Sequence, residues 1–228
     1  MEKKLRVGVI GATGYVGQRF VTLLENHPWF ECVAVCASPR SAGKTYEEAC
    51  GSRWKLDIPM PEYVKNLVVY GTDNIEEYCK QIDFTFCAVD MKKDEIRALE
   101  EKIAKLETPV VSNNSANRWT EDVPMIIPEV NADHAGLIEA QRKRLGTQRG
   151  FIAVKPNCSI QSYVPALTPF LKNGIKQISK PRESQSLHLP ESPAQTPHNR
   201  CMAPSVLSGT YTRRSSLWLR LLLLAVFS

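Results

Sequence analysis

Cys158 has the setting of a nucleophilic cysteine. It follows Lys155-Pro156-Asn157, which come directly after a short apolar run, Phe151 to Val154, typical of a buried strand. Asn157 is a favourable N-cap, so we predict Cys158 in the first turn of a helix. A helix N-terminus favours the thiolate, and its backbone N–H groups can hold an oxyanion. The pattern therefore predicts covalent chemistry at Cys158.

The composition argues against a metal site, a signal region and a nucleic-acid or membrane partner. The remaining cysteines have no CxxC spacing, so we expect small buried side chains, no metal site and a reducing, cytoplasmic compartment. The first strand begins without a preceding apolar signal region. The 228-residue chain has a formal net charge of +5 and no basic patch with interleaved aromatics. Neither a nucleic acid nor a membrane is an expected partner.

A glycine turn near the N-terminus predicts a phosphate-binding site. Gly11, Gly14 and Gly17 follow a predicted strand, Arg6 to Ile10, and the last of the three falls in the first turn of a predicted helix, Tyr15 to Leu24. Glycines let the backbone approach a pyrophosphate, and the helix N-terminus attracts its charge. The spacing is GxxGxxG and not the usual GxGxxG, so a tight turn in another kind of α/β protein stays an alternative.

The residues after the second predicted strand, Cys32 to Ala37, indicate which dinucleotide would bind. NAD-binding proteins usually place an acid here, whereas this chain has the cations Arg40 and Lys44 and the hydroxyls of Ser38 and Ser41. An arginine can hold a 2′-phosphate that a carboxylate would repel. This favours NADP over NAD. The alternative is a solvated basic loop.

Alternating strands and helices predict a doubly wound parallel sheet. Residues 45–66 are expected to be irregular, and residues 125–131 short and extended. His134 is expected on a helix surface. The other predicted elements are strands at 67–70, 83–88, 108–112 and 151–154, and helices at 74–80, 94–106 and 134–145.

A polar loop, Ser112 to Arg118, follows one of these strands and is expected to face the same crevice as the glycine turn. Arg118 could bind a phosphate or carboxylate with two N–H groups. On position alone, a surface ion pair is an equal alternative.

The motifs GATGYVG, ASPRSAGK, SNNSANR, VPMIIPEVN and PNCS occur in the order and spacing of aspartate-semialdehyde dehydrogenase. The chain resembles the fungal and archaeal branch of that family over about residues 3–178. The resemblance implies a Rossmann-like NADP-binding domain and the start of an α+β catalytic and dimerisation domain. It also implies NADPH-dependent reduction of aspartyl phosphate to aspartate semialdehyde and phosphate, on the route to lysine, threonine and methionine.

The resemblance also assigns roles to residues. Cys158 matches the nucleophile that forms a thioester, Arg118 matches the arginine that binds the substrate phosphate, and Asn157 is placed in the substrate site. Cys87 and Ala88 match the turn near the nicotinamide. The matched NADP-binding positions are Gly11, Thr13, Gly14, Tyr15, Val16, Ser38, Arg40 and Ser41.

The resemblance ends near Ile178. We therefore predict an NADP-binding domain over 1–150, the start of the catalytic domain over 151–178, and a disordered, non-family tail over 179–228, hypothetically a frameshift product. The family's downstream glutamine, arginine and histidine have no recognisable counterparts, and most of the domain that forms the family's homo-oligomer is expected to be missing. The apolar run at 217–227 is too short to span a bilayer, which takes about 20 residues.

Two alternative functions stay open. One is an inactive fragment that binds NADP. The other is N-acetyl-γ-glutamyl-phosphate reductase, which shares the fold and the thioester chemistry. That enzyme typically has glycine before the nucleophile, where this chain has Asn157.

Overall fold

Six parallel strands form one sheet in the computed structural model, which describes residues 3–161 and 163–171. The spatial order β3-β2-β1-β4-β5-β6 is that of a doubly wound dinucleotide-binding sheet, so the predicted fold class is confirmed. The strands are β1 (Leu5–Ile10), β2 (Phe30–Ala37), β3 (Val69–Gly71), β4 (Phe84–Cys87), β5 (Val110–Ser112) and β6 (Ile152–Val154).

Helices connect the strands. Short 3₁₀ segments cover Pro39–Ser41, Gly51–Arg53, Thr72–Asn74 and Ala132–Gly136. The α-helices are α1 (Tyr15–Leu23), α2 (Tyr46–Cys50), α3 (Glu62–Lys65), α4 (Ile75–Lys80), α5 (Lys93–Lys105), α6 (Pro128–Asn131), α7 (Leu137–Leu145), α8 (Cys158–Gln161) and α9 (Val164–Leu171).

Alternation along the strands builds a hydrophobic core on each face of the sheet. Val7 and Val9 of β1 join Phe84 and Phe86 of β4 on the face covered by α1 to α3. Phe20 of α1 stacks on Phe86 with ring centroids 4.8 Å apart. The opposite face packs against α4, α5 and α7. Because helices cover both faces, the strands are apolar throughout, as is usual for parallel sheets.

The topology gathers the predicted site at one edge. In a parallel sheet all strands end on the same side, and ligands bind where the connections diverge to opposite faces. Here β1 is flanked by β2 and β4, with Ile10 aligned with Cys36 and with Cys87. The glycine turn, the segment after β2, the Arg118 loop and Cys158 all follow strand ends and therefore share this edge.

Two segments correct the sequence-based prediction. Residues 45–66 are not irregular throughout, because α2 and α3 form within them. Thr45 and Glu48 make a reciprocal capping box that starts α2, a T-x-x-E signal present in the sequence. Residues 125–131 are not all extended, because Pro128 begins α6.

His134 also differs from its prediction, and some predictions cannot be compared with the described residues. His134 lies in a 3₁₀ segment and is half-buried, with its Nδ1 3.1 Å from the Met125 carbonyl oxygen. The predicted division between 1–150 and 151–178 stays a prediction, and residues 172–228, with the predicted tail, lie outside the described residues. No helix in the described ranges combines the length and the apolar character needed to cross a membrane.

Gly8 allows β1 to pack closely on α4, and its replacement tests this core. A Cβ on Gly8 would lie 2.5 Å from Tyr78 Cζ and 3.0 Å from Ile82 Cδ1. We expect Gly8→Ala to lower the free energy of unfolding by about 1–3 kcal/mol through overpacking. Gly136→Ala is the control, because nothing lies near its Cβ position. Chemical denaturation that shows equal stability for both variants would contradict this packing.

Candidate functional site

The glycine turn brings the ends of β1 and β4 together. Gly11 has a φ of +81°, and a Cβ there would lie 2.6 Å from the Ala88 carbonyl carbon. A Cβ on Gly17 would lie 2.6 Å from Ala12 Cα. Both positions therefore need glycine, the first for its backbone conformation and both for close approach.

The start of α1 offers backbone N–H groups to an anion. Gly14 is the N-cap and supplies no side chain to satisfy them. Tyr15 and Val16 are exposed in the first turn, and Thr13 is half-buried just before it. This arrangement suits a pyrophosphate, which gains both from the N–H groups and from the helix dipole.

A basic cleft of about 780 Å³ adjoins the segment after β2, and its lining includes Ser38, Arg40, Ser41, Lys44 and Arg53. The Ser38 and Arg40 side chains are exposed, whereas Ser41 is buried and accepts a 3.4 Å hydrogen bond from an Arg53 Nη. Arg53 was missed from the sequence because it lies in the segment expected to be irregular. The structure adds a third cation to the two predicted ones.

One acid, Glu48, also lines the basic cleft. Its Oε2 accepts a hydrogen bond of 3.0 Å from the Thr45 N–H, and this interaction lowers the pKa of the Glu48 carboxyl. The carboxylate therefore caps α2. The cleft keeps an excess of positive charge, as a phosphate site requires.

The turn after β4 limits how Cys87, a predicted cofactor-binding residue, could contact a ligand. Cys87 is fully buried, and burial raises the pKa of its thiol well above the usual value. Its Sγ accepts a 3.4 Å hydrogen bond from Asn114 Nδ2. Its side chain therefore points into the protein, and any ligand contact at this turn falls to the backbone and to Ala88, which is half-buried beside Gly11.

Cys158 occupies the predicted position at the start of α8. Asn157 Oδ1 accepts a 2.9 Å hydrogen bond from the Ser159 backbone N–H, so the predicted cap is confirmed. The Cys158 thiol also donates to this oxygen at 3.6 Å. Within the described residues Cys158 is the only exposed cysteine. It is accessible to a substrate, and Asn157 positions it.

Two cations, Arg118 and Lys155, lie close enough to Cys158 to interact with it electrostatically. Arg118 donates from Nε to the Lys155 carbonyl at 3.0 Å and from an Nη to the Asn113 carbonyl at 3.5 Å. Burial lowers the pKa of both Arg118 and Lys155, and the nearby Cys158 acts in the opposite direction on each. Lys155 was not predicted to be a site residue, although its place between strand and nucleophile is a visible signal. Both cations can stabilise a thiolate.

A buried carboxylate organises the loop that presents Arg118. Glu100 of α5 is fully buried and accepts hydrogen bonds from Ser112 Oγ at 2.5 Å, Asn114 Nδ2 at 3.1 Å and Asn117 Nδ2 at 2.7 Å. Four residues after Ile96, it lies on the apolar face of α5. Glu100 was not predicted to be important because α5 carries many charged residues and Glu100 is one of several acids in it. The loop conformation depends on these bonds, since an unpaired buried carboxylate is costly.

Comparison with known proteins identifies the family of the chain. A family model described as "Semialdehyde dehydrogenase, NAD binding domain" matches residues 6–138. The chain belongs to the semialdehyde dehydrogenase family. The matched range contains the glycine turn, the Arg40 segment and Arg118, and Cys158 lies beyond it.

The curated relatives of this chain are more specific than the family model. An aspartate-semialdehyde dehydrogenase of Methanothermobacter thermautotrophicus is 44% identical over 165 residues, which cover 72% of this chain and 45% of the relative. The Trichophyton rubrum enzyme is 41% identical over 178 residues, 77% of this chain and 48% of that protein. The resemblance to archaeal and fungal enzymes is confirmed. The chain spans about half the length of these relatives.

Among solved structures, the Candida albicans aspartate-semialdehyde dehydrogenase with NADP superimposes with a TM-score of 0.65 at 35% identity. The match covers 75% of this chain and 48% of that one. It confirms the dinucleotide-binding fold. Among the described residues of this chain, no group of three or more His, Cys, Asp or Glu side chains could hold a metal.

The position of Arg118 beside Cys158 predicts a charge effect on alkylation. We expect Arg118→Met to slow the reaction of Cys158 with anionic iodoacetate about fivefold more than with neutral iodoacetamide, about 1 kcal/mol of lost attraction. Mass spectrometry of the Cys158 peptide measures both rates. Arg149→Met is the control, because Arg149 donates to the Asp83 carbonyl at the opposite edge of the sheet. An unchanged ratio of the two rates in Arg118→Met would show that the charge of Arg118 does not act at Cys158.

Proposed function

We propose that this semialdehyde dehydrogenase uses NADPH to convert L-aspartyl 4-phosphate to L-aspartate 4-semialdehyde and phosphate through a thioester at Cys158. The observation that carries the proposal is an exposed cysteine within electrostatic range of Arg118 and Lys155, at the sheet edge that also bears the glycine turn. The names of its relatives support aspartate as the acyl group.

The residues present fit NADP. The glycine turn leaves backbone N–H groups for the pyrophosphate, and the adjoining basic cleft offers Arg40, Lys44 and Arg53 to the 2′-phosphate. A relative with NADP bound has the same fold. We therefore propose NADP, and not NAD, as the cofactor; when bound, NADPH supplies the hydride that reduces the thioester carbon.

The chain's own residues account for the acyl-transfer steps. The Cys158 thiolate attacks the acyl carbon, the carbon–oxygen bond to phosphate breaks, and phosphate leaves with the electron pair. Arg118 and Lys155 offset the negative charge of the thiolate and of the leaving phosphate. After hydride transfer the carbon–sulfur bond breaks, which releases the aldehyde and restores the thiolate.

The wider setting follows from this chemistry. The proposed reaction serves the synthesis of lysine, threonine and methionine, and its partners are small molecules. The resemblance implies a homo-oligomer for the family, most of whose dimerisation domain is expected to be missing from this chain. We propose a cytoplasmic location because the six cysteines within the described residues are free thiols.

Cofactor preference tests the role of the basic cleft. We expect the chain to bind NADPH at least about tenfold more tightly than NADH, because a charge-assisted hydrogen bond contributes roughly 1.5–3 kcal/mol. Arg40→Ala should remove most of this preference and leave NADH binding unchanged. Arg19→Ala, an exposed arginine of α1 outside the cleft lining, is the control. Fluorescence titration that finds equal affinities for both dinucleotides in the unsubstituted chain would rule out the cleft as a 2′-phosphate site.

Turnover tests the role of Cys158. With aspartate 4-semialdehyde, phosphate and NADP⁺ as reactants, we expect NADPH formation that Cys158→Ala abolishes while NADPH binding stays intact. Cys79→Ala, a buried cysteine of α4, controls for the loss of a thiol. Binding without turnover in the unsubstituted chain would instead favour the alternative of an NADP-binding fragment.

A further inference from the structure

Gln18 is a polar side chain on the buried face of α1. It is 1% exposed, and its neighbours on that face are Gly17, Phe20 and Val21. A buried amide is tolerated only when its donors and acceptor are satisfied. The contacts that satisfy Gln18 lie on two separate parts of the site.

The Gln18 amide joins the glycine turn to the segment that carries Arg53. Its Nε2 donates to the Thr13 carbonyl at 3.0 Å and to the Arg53 carbonyl at 2.8 Å. Its Oε1 accepts the Lys55 N–H at 2.9 Å. One side chain therefore bonds to the backbone of Thr13, which lies just before α1, and to the backbone of Arg53 and Lys55.

A second bond ties the same two regions together. Tyr46, fully buried at the start of α2, donates its hydroxyl to the Ala12 carbonyl at 2.7 Å. The carbonyls of Ala12 and Thr13 thus both point at side chains inside the protein. Because the N–H of a trans peptide points away from its C=O, the Ala12 bond aims the Thr13 N–H away from the interior. The next N–H, of Gly14, donates to the Gly11 carbonyl at 3.0 Å within the turn.

Arg53 connects the hydrogen bonds of Gln18 to the basic cleft. Its backbone carbonyl is held by Gln18, while its guanidinium reaches Ser41 Oγ at 3.4 Å and donates to the Ala49 carbonyl. The guanidinium is placed in the cleft by a backbone whose position Gln18 sets. Pyrophosphate and 2′-phosphate groups are at a fixed distance in one molecule, so the two subsites must be held at a matching distance.

We propose that Gln18 is a positioning residue that sets the spacing between the glycine turn and the basic cleft, and thereby the preference for a 2′-phosphorylated dinucleotide. The inference rests on the proposed NADP binding. Gln18 reaches the ligand only through the backbone that it holds. Its loss should weaken the 2′-phosphate subsite more than a general loss of stability would.

Gln18→Met tests the proposal, since methionine keeps the length of the side chain and removes its hydrogen bonds. Gln141→Met is a matched control. Gln141 is also fully buried, donates to the Asp122 and Ile152 carbonyls at 3.0 Å each, and accepts the Ile152 N–H at 2.5 Å, in α7 away from the cleft. Each substitution removes two bonds to backbone carbonyls and one from a backbone N–H, and Gln18→Met also removes a 3.5 Å hydrogen bond from Nε2 to Cys50 Sγ.

We expect both variants of the full chain to melt at lower temperature by similar amounts. Only Gln18→Met should weaken NADPH binding, by about tenfold, and reduce the NADPH-to-NADH affinity ratio by at least about threefold. An unchanged ratio in Gln18→Met, or the same change in both variants, would overturn the inference. Failure of the unsubstituted chain to prefer NADPH would instead refute the proposed function.

A measurement on the unsubstituted chain keeps the inference testable if Gln18→Met does not fold. NADH occupies the glycine turn but has no 2′-phosphate for Arg53. We expect saturating NADH to slow hydrogen exchange of the Lys55 N–H, which donates to Gln18, and to leave the Ile152 N–H, which donates to Gln141, unchanged. Unaltered exchange at Lys55 would overturn the inference that Gln18 links the glycine turn to the segment of Arg53.

Discussion

The close approach of Gly11 to the Ala88 backbone is the constraint on which the site depends. It lets the connections after β1 and β4 leave the sheet side by side, although they lead to helices on opposite faces. Any side chain at residue 11 would separate these two turns. Gly17 serves the same purpose one turn into α1, where a Cβ would collide with the backbone of Ala12. The glycine pattern is thus as much a packing requirement as a means of admitting phosphate.

Buried polar side chains then fix the loops at this edge. Gln18 holds the glycine turn and the Arg53 segment, and Glu100 holds the loop that ends at Arg118. Loops lack the regular hydrogen bonds of helices and strands, so side-chain partners supply them. The arrangement suits chemistry that needs charged groups at set positions, because preorganised groups lose less entropy on binding.

The elements that sequence analysis placed well are those with strong local signals. The strand and glycine turn at Gly11, the cap at Asn157 and the place of Cys158 at a helix start each follow from a few neighbouring residues. The irregular structure predicted for 45–66 was wrong because the capping box of Thr45 and Glu48 was not given weight. The family assignment from ordered motifs was confirmed by the matching model and relatives.

The sequence by itself determined the alternating α/β pattern, the glycine turn after β1 and the helix start at Cys158, because these depend on residues close together in the chain. Only the tertiary structure decided that Arg53 joins Arg40 in one cleft, that Arg118 comes within electrostatic range of Cys158, and that the Cys87 side chain is buried. Those outcomes depend on residues brought together by parallel strand pairing. No local spacing encodes such distances, since they arise when the sheet aligns the ends of strands that are far apart in sequence.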